Sequence, residues 1–205
     1  MSKERYIPLQ DYVVFDPAND REVPLILSSV ARKLSFPLSL EDQKDIALLT
    51  HKFDMEKTSA GLASPQIGIS KQILIFSVLD TPELKKWRQD LTDTMPKTVW
   101  INPTYKGLDD FGYSKDYEGC FSVKNYAGKV IRYKTIYYEA YTPTGQLTSG
   151  TANGYLARVL QHEIDHLNGI LFIDRIKNKS DLITKDEYKR MREQGREKHE
   201  QPEST

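Results

Sequence analysis

The apolar positions of this chain change period along its length, and the changes divide it into elements. Val23 to Ser35 carries Leu25, Ile26, Leu27, Val30 and Leu34 after Pro24, the pattern of a short helix. A longer helix follows. Ser39 is placed to cap it, Glu41 and Asp42 suit its first turn, and Ile46, Leu49 and Phe53 form an apolar stripe. His51 in that helix reads as a surface or packing residue. Unbroken apolar runs at Ile73–Val78 and Val99–Ile101 predict strands, the second stopped by Asn102-Pro103. Between them, Asp80 to Lys97 predicts a short helical excursion, with Thr81 as cap and Pro82 at the first helical position. Ile131–Tyr141 reads as one or two strands ahead of a turn at Pro143–Gly145, and Ile170–Ile173 as another strand. Thr184 to Glu187 is a capping-box pattern that opens a charged helix, and the almost wholly polar chain from Gly195 onward is expected to fray.

The best-patterned helix spans Asn153 to Asn168, with Gly169 as its C-terminal cap. Leu156, Leu160, Ile164 and Leu167 make one apolar face, and Tyr155 and Val159 line up with two histidines on another. Only Arg158, Gln161, Asp165 and Asn168 remain as a narrow polar stripe. A helix so nearly enclosed belongs in a core. Asp165 reads either as a surface charge on that stripe or as an anchor behind the histidines, and the surface role is the one expected. The element order predicts an α+β fold, with mixed or antiparallel β-sheets packed around this central helix. A single catalytic domain is expected over residues 1–176, with a charged C-terminal helix and frayed tail over 177–205.

Composition narrows the class. The chain has 205 residues, 39% hydrophobic and 28% charged, enough apolar content for one core and too much for disorder. Lys+Arg and Asp+Glu both number 29, so net charge gives no reason to expect a nucleic-acid or anionic-membrane partner. No run approaches the roughly 20 apolar residues of a spanning helix. Met1–Gln10 lacks the apolar stretch of a signal peptide. One cysteine, Cys120, forbids an internal disulfide and fits a reducing compartment, most simply the cytoplasm.

The central helix contains His162-Glu163-Ile164-Asp165-His166, an HExxH motif. Residues four apart share a helix face, so both imidazoles can close on one metal ion. Glu163 lies about 100° around the helix from His162, bordering the site without being a ligand, and can act on water there. Two buried imidazoles are costly unless something satisfies their nitrogens, and a metal does so. A catalytic metal usually has three protein ligands. Glu187 and Glu193 belong to a highly charged helix and His199 to the tail. The better third ligand lies upstream: Cys120, the only thiol, following Gly119 in Glu118-Gly119-Cys120-Phe121-Ser122. Ser59 to Gln66 adds a run of small residues, Gly61 among them, that lets another segment approach closely, followed by the carboxamide of Gln66.

Together, AGLASPQ, EGCFS and QHEIDH, in this order and spacing, resemble the three motifs of the peptide deformylases. The resemblance implies a hydrolase that removes the formyl group from the N-terminal formylmethionine of new polypeptides. It implies Cys120, His162 and His166 as metal ligands and Glu163 as the group that takes a proton from water and returns it to the leaving amine. It also implies that Gln66 and the Phe121 N–H meet the oxyanion. Fe²⁺ is then the expected physiological metal, with Zn²⁺ or Ni²⁺ in its place in some preparations; ligand chemistry alone suggests Zn²⁺. Formylmethionyl nascent peptides are the expected partners, with a transient ribosome contact.

Gly61, Leu62, Tyr155, Arg158 and Val159 are the expected substrate neighbours. Glu118 and Arg132 are expected to pair behind the site, Arg132 matching the family's later V-x-R arginine. The chain departs from the family at Ser59 and Ser64, at Phe121, and in Val123–Lys129, which lacks the usual Pro and Arg. Tyr155 and Arg158 stand where many members carry aliphatic residues, and Arg158 either rims the substrate pocket or reaches away to solvent. These departures bear on substrate preference rather than reaction class. Two other chemistries compete: an HExxH endopeptidase with a His or Glu third ligand, and a Cys-His hydrolase with Cys120 as nucleophile.

Overall fold

In the strand Ile73–Val78, Ile73 and Ile75 point to one face, and Leu74 and Phe76 to the other, and all four are fully buried. Such a strand needs cover on both sides, and two helices supply it. The computed structural model describes residues 11–200, with side chains described for residues 11–194. Its helices are α1 (Leu25–Ser28), α2 (Leu40–Met55), α3 (Pro82–Trp87), α4 (Gly154–Leu167) and α5 (Lys185–Glu200). The strands are β1 (Gly61–Ala63), β2 (Ile73–Val78), β3 (Met95–Gly107), β4 (Tyr113–Gly119), β5 (Tyr126–Tyr133), β6 (Thr135–Tyr141), β7 (Leu147–Asn153) and β8 (Leu182–Thr184).

These make two antiparallel sheets, one ordered β1-β2-β3-β6-β7 and one ordered β4-β5-β8. On one face of the larger sheet, Ile73, Ile75 and Ile101 pack with Leu49 and Phe53 of α2. On the other, Leu74, Phe76, Trp100 and Ile136 pack with Leu156, Leu160 and Ile164 of α4. The Phe76 and Trp100 rings meet edge-on at 4.7 Å, a geometry that adds to plain burial. A third cluster joins Val130 of the smaller sheet to Val123, Leu171 and Phe172. The central HExxH-bearing helix of an α+β fold is therefore present as expected.

Caps follow the sequence. Ser39 and Asp42 form a reciprocal capping box on α2, Thr81 caps α3, and Thr184 and Glu187 cap α5 reciprocally. Helix α4 is held differently. Asn153 makes no side-chain cap of its own. Instead, Asp93 accepts from the Asn153 backbone N–H at 2.9 Å, and the Asp90 carbonyl accepts from the Tyr155 N–H at 2.9 Å. The 80–97 excursion thus satisfies N–H groups that a helix start leaves unpaired. Gly154, at φ +58°, is needed there, because a Cβ would lie 2.0 Å from the Asp90 oxygen.

Three local expectations are corrected, and the reading of Ile131–Tyr141 as one or two strands resolves to two. Val23–Ser35 is helical only over α1. Asn102-Pro103 does not end the strand: β3 runs through it as a bulge with a register shift after Ile101, where Asn102 takes φ 50° and clamps the Leu34 N–H and carbonyl with its carboxamide. Ile131–Tyr141 falls into two strands that belong to different sheets. Ile170–Ile173 is not a strand. A 3₁₀ turn spans Phe172–Arg175, because the Asp174 carboxylate accepts from the Leu171 N–H and pulls the chain round.

Beyond residue 176, β8 pairs with β5, so the C-terminal segment is stitched into the smaller sheet. The backbone of α5 stays helical past Gly195 to Glu200. The expectations for Met1–Gln10, for the 201–205 tail and for the His199 side chain lie outside the described residues. Among the described residues no helix is long and apolar enough to cross a membrane.

Candidate metal centre and substrate cleft

Helix α4 brings His162 and His166 to one face, and the turn after β4 lays Cys120 against them. Cys120 Sγ is 3.3 Å from His166 Nε2, which is 3.3 Å from His162 Nε2. These three donor atoms form the one candidate metal-ligand group among the described residues. A tetrahedral ion at Zn–S and Zn–N bond lengths would hold its ligand atoms about 3.3–3.6 Å apart, so the spacing fits. Donor chemistry fits as well. Glu118 Oε2 sits 2.8 Å from His162 Nδ1 and, as the ionised carboxylate, accepts a hydrogen bond from the Nδ1–H; in that tautomer Nε2 is left bare toward the cluster. Burial resists a charged Cys120 thiol, but the neighbouring His166 and His162 outweigh it and hold its pKa well below the ordinary value. A thiol inclined to ionise and two imidazole nitrogens facing one point are donors suited to a cation between them.

The Glu118 carboxylate is the hub behind this cluster. Arg132 donates to both of its oxygens, at 2.9 Å each, and Arg158 donates to Oε1 at 2.7 Å. Burial alone would raise its pKa, and the hydrogen bonds from Arg132 and His162 reverse this, keeping it well below the carboxylate range. Arg132 also pairs with Asp165, which accepts from Arg175 on its other side. The expected Glu118–Arg132 pair is thus present within a buried chain of alternating charge.

The same chain corrects the expectation for Asp165 and removes one of the two alternatives for Arg158. Asp165 does not face solvent: it is 2% exposed, between Arg132 and Arg175. Arg158 does not reach away to solvent. It is 3% exposed, and it donates to Glu118, the Val130 carbonyl and Ser114. The polar stripe of α4 packs against the smaller sheet, and Gln161 completes it by pairing with both the N–H and the carbonyl of Tyr133.

Glu163 projects beside the donor cluster. Its Oε2 is buried and has no partner among the described residues. Burial pushes its pKa up to about 7. Gly61 lies directly against it: a Cβ there would come 2.6 Å from Glu163 Cγ. The small-residue run therefore admits the Glu163 side chain. Gln66 sits in the turn after β1. Its Oε1 accepts from the Ala63 N–H at 2.8 Å, which aims Nε2 at Cys120 Sγ, 3.3 Å away.

Cys120, His162 and Glu163 open onto a cleft of about 760 Å³. Of the expected substrate neighbours, Gly61, Tyr155, Val159 and Arg158 line it, and Phe121 lines it as well. Leu62 does not, since its side chain is fully buried in the core against α2. At the mouth, α3 and α5 meet: the Arg192 guanidinium lies 4.0 Å over Trp87, and the Tyr188 ring meets Tyr117 at a tilt, 4.9 Å between centroids. Sequence reasoning favoured the wrong role for Asp165 and missed Arg175 and the cleft-bordering residues of α3 and α5. Only Asp165 left a trace, as a charge on a helix otherwise patterned for burial.

A family model described as polypeptide deformylase matches residues 19–181. The chain belongs to the polypeptide deformylase family. It is 51% identical over 201 residues to peptide deformylase 2 of Rickettsia conorii, covering 96% of this chain and 97% of that protein. A Met-Ala-Ser-bound crystal structure of the class I type b peptide deformylase of Acinetobacter baumannii superimposes with a TM-score of 0.66. Its identity is 26%, over 83% of this chain and 98% of that one. The actinonin-bound structure of the same deformylase gives a TM-score of 0.65 at 25% identity, over 83% and 100%. As a deformylase the chain is an enzyme of a metal-dependent hydrolase family, and Cys120, His162 and His166 form a site able to hold the metal.

Proposed function

We propose that this cleft removes the formyl group from the N-terminal formylmethionine of new polypeptides. Cys120, His162 and His166 hold one divalent metal, and Glu163 moves the proton. The observation that carries the reading is the unpartnered, buried Glu163 carboxylate beside three converging donor atoms. When bound, the metal supplies Lewis-acid chemistry: it makes water a nucleophile near neutral pH and polarises the formyl oxygen. Fe²⁺ is the physiological ion on this reading, and Zn²⁺ and Ni²⁺ suit the same thiolate and imidazole donors.

The chain's own groups do the rest. Glu163, with a pKa pushed up to about 7 by burial, takes a proton from the attacking water. The water oxygen bonds to the formyl carbon, and the developing oxyanion is met by Gln66 Nε2 and the Phe121 N–H. Glu163 then gives its proton to the peptide nitrogen as the C–N bond breaks, leaving formate and a free amine. Tyr155 and Val159, on the His162 side of α4, offer an apolar wall to the methionine side chain. The lone thiol, needed as thiolate, suits the cytoplasm, where nascent chains emerge from the ribosome.

The test is formate release from formyl-Met-Ala-Ser by protein loaded separately with Fe²⁺, Zn²⁺ or Ni²⁺. Glu163→Gln should keep one metal per chain and lose about 10²–10⁴-fold in turnover. Cys120→Ala should lose the metal. A Glu163→Gln protein running at the parent rate overturns the role of Glu163. Full activity after chelation would point instead to Cys120 as the nucleophile.

A further inference from the structure

Lys185 is the first residue of α5, four positions beyond the segment that matches the family model. Its backbone is fixed by the smaller sheet: Thr184 pairs with Tyr126 in β8–β5, and the Lys185 N–H donates to the Asn125 carbonyl at 2.8 Å. From there the side chain turns back into the cleft. Its Nζ lies 3.1 Å from the Cys120 carbonyl oxygen and 3.1 Å from that of Val123. One ammonium therefore ties both ends of the loop that carries the thiolate.

The loop has few other ties. The Ser122 carbonyl accepts from the Phe15 N–H, the Ser122 N–H approaches Cys120 Sγ at 3.3 Å, and the Phe121 ring stacks on Tyr12 at 4.7 Å. The Val123 N–H reaches the Cys120 carbonyl only at 3.4 Å. Among the described residues, no acceptor for the Phe121 N–H is found.

The Cys120 carbonyl and the Phe121 N–H belong to one planar trans peptide, so they point in opposite directions and turn together. Holding the carbonyl on an ammonium sets where the N–H points. It also polarises the amide, which strengthens the N–H as a donor. We propose that Lys185 is a positioning residue for deformylation: by pinning the Cys120–Phe121 peptide, it aims the Phe121 N–H at the oxyanion. This rests on the deformylase reading above and adds to it a residue from the C-terminal helix. The alternative is an ordinary surface lysine, since much of the Lys185 side chain is exposed.

The experiment compares the full-length, Zn²⁺-loaded parent with Lys185→Met and Lys185→Arg. It measures kcat and KM on formyl-Met-Ala-Ser, Zn²⁺ affinity by chelator competition, the thermal midpoint, and the amide proton shift of Phe121 by NMR. Loss of one complete oxyanion donor costs about 10²–10³ in turnover. A donor that is misaimed rather than removed should cost about tenfold in kcat for Lys185→Met, with KM, Zn²⁺ affinity and midpoint near the parent values. The Phe121 amide shift should move in Lys185→Met, and both it and kcat should return toward the parent in Lys185→Arg. A Lys185→Met protein with parent kcat, or with an unmoved Phe121 shift, overturns the proposal. So does a kcat loss matched by an equal loss of Zn²⁺ affinity. A parent that leaves the formyl peptide intact overturns the functional reading itself, which separates the two failures.

Discussion

Arg132 grips Glu118 with two parallel hydrogen bonds, Nε to Oε1 and Nη2 to Oε2, both at 2.9 Å, behind the Cys120–His162–His166 cluster. This fork holds the Glu118 carboxylate that orients His162. Removing one partner of a buried pair costs about 3–5 kcal/mol, because the other charge is left uncompensated. Glu118→Gln leaves Arg132 and Arg158 short of a carboxylate. We expect it to lower stability to urea by an amount of that order, and to weaken metal binding by about 10–100-fold. Unchanged metal affinity in a chelator titration would show that His162 needs no orienting group.

Arg158→Leu should act through the same hub. Its guanidinium is turned to Glu118, Val130 and Ser114. The expected result is a stability loss with unchanged relative kcat/KM across formyl-Met peptides that vary in the second and third residues. A changed ranking in that panel would return Arg158 to the substrate wall.

Gly61→Ala should reduce turnover sharply while sparing the metal. The added methyl would meet Glu163 Cγ at 2.6 Å, so the carboxylate must shift. Misplacing a catalytic group by about 1 Å can cost about 10²-fold. Metal content by elemental analysis, read beside kcat, separates this from damage to the ligands. A parent-like kcat would mean that the Glu163 side chain has room to give.

Asp93→Ala tests the support of α4 by the 80–97 excursion. Asp93 accepts from the Asn153 backbone N–H and from its side-chain amide. Its loss should cost about 0.5–2 kcal/mol, as for other helix caps. Chemical denaturation gives the value, and a change within error would assign the helix start to Asp90 and Gly154 alone.

A separate acid sensitivity is expected at Asp42. Its hydrogen bonds from Lys71 and Ser39 hold its pKa at about 2, below the usual 3.8. A carboxyl depressed in the folded state adds stability that is complete above the unfolded pKa and is lost as pH falls through the folded one. Its contribution should therefore fade between about pH 4 and pH 2. Asp42→Asn should flatten that part of the stability–pH curve, measured by urea unfolding at stepped pH. An identical slope in parent and variant would remove Asp42 from the account.

Much of this protein is legible locally. The HExxH spacing needs only a helix to put His162 and His166 on one face, and a lone Cys after Gly119 supplies the missing soft ligand. The Ser39, Thr81 and Thr184 caps are likewise decided within four residues of chain. The ILIFSV run carries its own double-sided burial.

Tertiary structure decided whatever depends on a partner far along the chain. Asp165 reads as solvated because sequence shows a charge on a polar stripe, and it is buried because Arg132 and Arg175 arrive from other elements to neutralise it. Arg158 could not be placed until Glu118, forty residues upstream, met it across the smaller sheet. Asn102-Pro103 reads as a stop until Leu34 offers the backbone groups that stabilise a bulge there. Lys185 left no local signal, because its function is a contact with carbonyls that its own sequence neighbourhood does not contain. Local pattern sets which face a side chain takes on its own helix or strand. Whether a charge on that face meets water or a counter-charge is set only when separate segments pack, because that packing creates the low-dielectric surroundings in which pairing becomes obligatory.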